Sequence, residues 1–203
     1  MTLVDDATRR MLAGLYGAPD RFYRGMAHVK ALLGLAEAHC AALADREAVE
    51  AAIWFHDAIY DSRRTDNEAK SADLARDRLK GACDPLRLDR IASMITATAT
   101  HVPPDFAEPA ARADAMLFLD MDLAILGAPP AVFDAYEQAT RKEYGWVDDA
   151  TWVLGRSRVL RGFLERARIF RTAAFHQAYE QQARANIALS LRRLAGGGQG
   201  DAP

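Results

Sequence analysis

The chain has 203 residues and a formal net charge of −2, with half its residues hydrophobic and 27% charged. That composition excludes a disordered or fibrous chain, and its weak acidity argues against a nucleic-acid duplex as partner. No apolar run nears the ~18 residues of a membrane helix, and MTLVDDATRR lacks the apolar core of a signal peptide.

In chain order, apolar residues recur at three- and four-residue spacing. Helices are expected over about 3–16, 20–43, 46–60, 66–80, 85–101, 109–126, 130–144, 149–170 and 172–194, with boundaries open by roughly 2–4 residues. No stretch of alternating β-branched residues suggests a sheet. Thr65 and Glu68 have the spacing of a capping box. Asp84-Pro85 and Glu108-Pro109 place proline in a first turn, where its missing N–H costs nothing. Gly127 and Gly145 stand where helices close. The expectation is an all-α fold: a single compact multi-helix domain over 1–194 with a disordered tail over 195–203. With only Cys40 and Cys83 there is no disulfide framework, which points to a reduced, cytoplasmic protein. An apolar stripe in the last helices (Phe163, Ile169, Phe170, Phe175, Tyr179) serves a core or a homodimer face.

Three helices carry chemistry. In 21–39, His28 stands on the apolar stripe of Leu32 and Leu35. In 51–61, AAIWFHDAIYD, a helical wheel puts Val49, Ala52, Ile53, His56 and Tyr60 on one stripe, with Asp57 about 100° round from His56. In 115–127, AMLFLDMDLAILG, Asp120 and Asp122 interrupt the most hydrophobic helix of the chain. A carboxylate in such a setting needs a cation, because burial without a partner costs several kcal/mol. Taken singly, each histidine is better explained by a core hydrogen bond than by ligation. Taken together, His28, His56, Asp57 and an aspartate from 120–122 make a mixed imidazole and carboxylate set. It is too oxygen-poor for calcium and suits a divalent transition metal.

The order H…HD…D across several helices resembles the HD-domain metal-dependent phosphohydrolases. The chain is most similar to the bacterial HD proteins with WFHD, DNExSA and LDxDLxILG motifs, through YRGMAH (23–28), WFHDAIYD (54–61), DNEAKSA (66–72), LDMDLAILG (119–127) and RKEY (141–144). GRSRVLRGFL (155–164) and ARAN (183–186) are further echoes, so the likeness runs from about residue 20 to 190. Arg24 is a departure, since the family often has histidine there.

The resemblance implies that His28, His56 and Asp57 are metal ligands, with either Asp120 or Asp122 as the last. The spacing does not choose between the two aspartates. The implied cofactor is a divalent ion (Mn, Fe, Co, Ni, Zn or Mg). The implied reaction is attack of metal-activated water on a phosphate ester of a small molecule such as a nucleotide. Beside Asp57, Glu68, Asp61 and His101 are candidate acid–base groups. The capping box would occupy Glu68. His101, at a helix C-terminus, is equally read as a phosphate contact, a proton donor or a cap. Arg24, Arg64, Lys70 and Arg141 are the candidate phosphate-binding cations. Two other readings are a binding protein with a relic site and, less favoured with only five histidines, a di-iron oxygenase.

Overall fold

A computed structural model describes residues 2–196. Among the described residues the fold is all-α, with nine α-helices and no strand: α1 (Asp6–Tyr16), α2 (Met26–Ala38), α3 (Arg46–Phe55), α4 (Asn67–Leu79), α5 (Pro85–Ala97), α6 (Pro109–Leu123), α7 (Pro130–Glu143), α8 (Asp149–Leu164) and α9 (Ala173–Gly196). Short 3-10 turns cover Cys40–Ala42 and Ala124–Gly127. No single helix among them is long and apolar enough to cross a membrane. The tail expected over 195–203 lies outside the described residues from 197 onward, while Ala195 and Gly196 close α9.

The helix starts follow from local chemistry. Asp5, Asp45, Asp84 and Asp148 each cap a helix, accepting from the backbone N–H of Thr8, Ala48, Arg87 and Thr151. Pro85 and Pro130 fill first-turn positions. The expected capping box does not form. α4 starts at Asn67 after Asp66, whose carboxylate takes the Arg64 guanidinium (2.6 Å) and makes no cap bond. The Asn67 side chain instead ties back to Asp61, donating to its carbonyl (2.9 Å) and accepting from its N–H (3.1 Å).

The chain gathers into two compact units, one ending at Asp122 and the other starting at Leu123. In the first, α3 is central and packs against α1, α2, α4 and α5. Val49, Ala52, Ile53 and Phe55 of α3 are fully buried, as are Val29 of α2 and Ile91 and Ile95 of α5. In the second unit, α9 packs against α8 and the Ala124–Gly127 turn. Asn186 of α9 clamps that turn, donating to the carbonyls of Leu126 (2.8 Å) and Ala128 (2.9 Å).

Gly127 is a place of close backbone approach. A Cβ there would lie 2.6 Å from Tyr179 Cβ and 2.7 Å from the Tyr179 carbonyl oxygen. Backbone cannot swing aside as a flexible side chain can, so Gly127→Ala is expected to destabilise the protein by about 1–3 kcal/mol. A urea midpoint equal to wild type would refute that close approach.

Several helices end earlier than their periodicity suggests, α3, α5 and α8 among them. α3 stops at Phe55 rather than residue 60. The Arg21 guanidinium takes the carbonyls of Asp57 (2.5 Å) and Ala58 (2.8 Å), and Ser71 bonds both the N–H (3.0 Å) and the carbonyl (3.2 Å) of Ile59. α5 stops at Ala97, and the chain turns to His101 in left-handed backbone. α8 stops at Leu164. The N–H groups of Ile169 (3.0 Å) and Phe170 (3.1 Å) then donate to Glu180, and Arg184 takes the carbonyls of Leu164 and Arg166.

Candidate metal centre

The early end of α3 sets the site. His56 is the residue that closes the helix and Asp57 stands in the turn beyond it. The wheel that put Tyr60 on the same stripe therefore does not apply. Arg21 braces the turn through its carbonyls, lies over the rings of Tyr16 (5.2 Å) and Tyr60 (5.7 Å), and also donates to the Arg24 carbonyl (3.2 Å). Tyr16 is buried and donates its hydroxyl to the Trp54 carbonyl (3.0 Å), the last turn of α3. Neither residue stands out in the sequence, because their contacts cross 36 to 38 residues of chain. The one available signal is the arginine and tyrosine density of RFYR just ahead of His28.

Against this braced turn come α2 and α6. His28 Nε2 lies 3.1 Å from His56 Nε2 and 3.1 Å from Asp122 Oδ1. His56 Nε2 is 3.7 Å from the same oxygen. Asp57 Oδ2 adjoins them, 3.4 Å from His56 Nε2 and 3.9 Å from His28 Nε2. Both histidines are buried, and each aspartate side chain keeps a small exposed edge of 13–14%. Tyr23 packs on His28 (4.8 Å between centroids) and Phe118 lies edge-on to His56 (6.1 Å), so the walls are aromatic.

His28, His56 and Asp122 form a group able to hold a metal ion, with one donor atom each inside a 4.8 Å span. Two features test the fit. Donors bound at about 2.1 Å stand about 3.0 Å apart at right angles and about 3.4 Å apart in a tetrahedron; the two separations from His28 fall in that range at 3.1 Å, and the His56–Asp122 separation of 3.7 Å is slightly wider. His56 Nδ1 also faces the Ile53 carbonyl at 2.8 Å. In the neutral ring Nδ1–H donates there, which leaves a lone pair on Nε2 aimed into the cluster. Two imidazole nitrogens with carboxylate oxygens favour a borderline transition metal over calcium.

Electrostatics support the same grouping. Burial works against the charge on His56, but the carboxylates of Asp57 and Asp122 outweigh it and push the imidazole pKa up. Burial likewise opposes ionisation of Asp57 and Asp122. The neighbouring imidazoles, joined at Asp57 by Arg24, override it and hold both below the ordinary carboxylate range. Both aspartates are thus anions at neutral pH, and a cation entering the cluster competes with the imidazole proton.

The remaining sequence candidates divide clearly. Of the two aspartates of α6, Asp122 joins the gathered donors and Asp120 does not; Asp120 is buried. His101 Nε2 reaches Asp122 Oδ2 at 2.9 Å. Arg24 borders the cluster, with Nε 3.5 Å from Asp57 Oδ1, one terminal nitrogen donating to the Tyr60 hydroxyl (3.1 Å) and its guanidinium 4.6 Å from the Tyr60 ring centroid. Glu68 lies in the first turn of α4 and is not among the gathered donors. Arg64 and Lys70 are exposed and lie 2.6 and 3.9 Å from Asp66. Arg141, in the second unit, donates to the carbonyls of Tyr144 (2.8 Å) and Val147 (3.1 Å) and to Asp149 (2.7 Å).

The fold and site define an all-α protein with a buried His–His–Asp cluster suited to a metal ion. Compared with known protein families, curated proteins and solved structures, the chain has no match.

Proposed function

We propose that this protein is an HD-type metal-dependent phosphohydrolase acting on a phosphate ester of a small molecule, nucleotides foremost. The observation that carries the reading is the convergence of His28 Nε2, His56 Nε2 and Asp122 Oδ1 beside the Asp57 carboxylate. These residues lie in the order of the HD signature that the sequence resembles. His28, His56, Asp57 and Asp122 would hold a divalent ion, which when bound supplies a water acidic enough to give hydroxide near neutral pH and offsets phosphate charge.

The chain's own groups frame that chemistry. Arg24 presents a guanidinium at the edge of the cluster, where it can take phosphate oxygens in place of Asp57. Tyr60 orients Arg24 by a hydrogen bond and by the face of its ring. Arg21 holds the turn that carries Asp57. Tyr23 and Phe118 keep the buried side of the cluster dry, so its charges act in a medium of low polarity.

The test is a screen of phosphomonoesters and nucleotides with Mn, Mg, Co, Ni and Fe, on protein purified without chelator and analysed for metal. Hydrolysis of at least one ester is expected, lost by more than about 100-fold in Asp57→Ala. Absence of turnover with every ion and ester would overturn the reading.

A further inference from the structure

His101 has two properties in conflict. Its backbone has φ 52°, making it the non-glycine residue with positive φ among the described residues. It follows α5 and closes the turn by donating its N–H to the Ala97 carbonyl (2.8 Å). At such a helix exit glycine is the ordinary solution, because a side chain crowds the following carbonyl in this conformation. A histidine there works against the backbone, so its side chain must serve something that glycine cannot.

The side chain reaches Asp122. A carboxylate only accepts hydrogen bonds, so the 2.9 Å contact is Nε2–H donating to Oδ2. The other oxygen, Oδ1, faces His28 and His56 at 3.1 and 3.7 Å. The two oxygens are thus divided between two tasks: one anchored outward, the other presented to the imidazole pair. Without the anchor the Asp122 side chain can rotate about its own bonds and take Oδ1 out of line.

We propose that His101 is a positioning residue that sets the Asp122 carboxylate for ion binding, and that its left-handed backbone is retained to place the imidazole where Oδ2 can be held. The inference rests on the reading that the cluster binds a divalent cation. It differs from an acid–base or phosphate-contact role for His101, since the imidazole acts through Asp122 and touches neither substrate nor ion.

The test compares wild type, His101→Gly and His101→Gln by Co²⁺ titration, the Co²⁺ visible spectrum and urea unfolding of the metal-free proteins. His101→Gly removes the anchor and relieves the backbone. Its Co²⁺ affinity is expected to fall about 10–100-fold with an altered spectrum, while its urea midpoint stays equal or rises. His101→Gln keeps an N–H near the place of Nε2 and is expected to recover most of the affinity and the wild-type spectrum. Binding by His101→Gly within about twofold of wild type, with an unchanged spectrum, would overturn the proposal. So would equal loss in both variants, which would make the imidazole itself a ligand. Wild-type protein that takes up no Co²⁺ would instead sink the metal reading, and the proposal with it.

Discussion

Adding a divalent transition metal to the His56→Ala protein is expected to leave its melting temperature where it was, whereas the same addition raises that of the wild type. An ion that binds only the folded state stabilises it by mass action, by about 2.7 kcal/mol at one hundred times the dissociation constant. For a chain of this length that corresponds to a rise of roughly 5–10 °C. His56 supplies one of the two Nε2 donors, and its Nδ1 partner Ile53 fixes the ring that presents it. Alanine leaves His28 and the carboxylates with no second imidazole. The substitution also leaves a hole beside Phe118 and frees the Ile53 carbonyl, so the variant starts from a lower melting temperature. The informative quantity is therefore the metal-induced shift within each protein, measured by calorimetry at matched metal concentrations. An equal shift in both would place the ion elsewhere and remove the basis for a His28–His56–Asp122 centre.

The second large effect lies in the second unit, at Glu137. The Arg156 guanidinium is 8% exposed and gives its Nε to Glu137 Oε1 (3.1 Å) and a terminal nitrogen to the Tyr136 hydroxyl (2.9 Å) and to Glu137. The Ser190 hydroxyl donates to the other Glu137 oxygen (2.7 Å). Glu137→Ala removes the carboxylate that pairs with Arg156 and strands a buried cation, an effect of about 3–5 kcal/mol. Replacing both charges with apolar residues of similar size, as in Glu137→Leu with Arg156→Met, is expected to recover most of that loss. Urea unfolding of the single and double variants checks it. A single variant within about 1 kcal/mol of wild type would show that the guanidinium finds water, contrary to its burial.

The helices were readable because their signals are local. Asp84-Pro85 and the apolar spacing of α3, α5 and α9 act within one or two turns, and the structure has helices there. The ends were less readable, because distant side chains set them. Periodicity carries 46–60 as one helix, yet Arg21 and Ser71 take over the backbone groups beyond Phe55. That exchange moves Asp57 off the helix and beside His56 Nε2, and no wheel could show it. The capping box misplaced the start of its helix: α4 begins at Asn67 after Asp66, so Thr65 is not the capping residue, and Asn67 ties itself back to Asp61.

At the site, His28 and His56 stood out as polar residues on apolar stripes. The choice between Asp120 and Asp122 did not, because α6 is apolar on nearly every side and both sit among hydrophobic neighbours. Two residues apart on a helix, they point about 160° away from each other, and only packing against α2 and the α3 turn brings Asp122 to the histidines. Arg24 was notable only as a residue in an unusual place; its approach to Asp57 crosses 33 residues of chain and has no local trace.

The separation of the donors along the chain has a kinetic meaning. His28 and Asp122 are 94 residues apart. Closing a loop of that length costs roughly 4 kcal/mol in chain entropy beyond a constant. A growing polypeptide that has emerged only through α3 carries both histidines but no Asp122, so it can offer an ion no more than part of a cage. The complete donor set exists only once α6 has been synthesised and docked, so any ion that it holds would be a late seal on the fold rather than its nucleus.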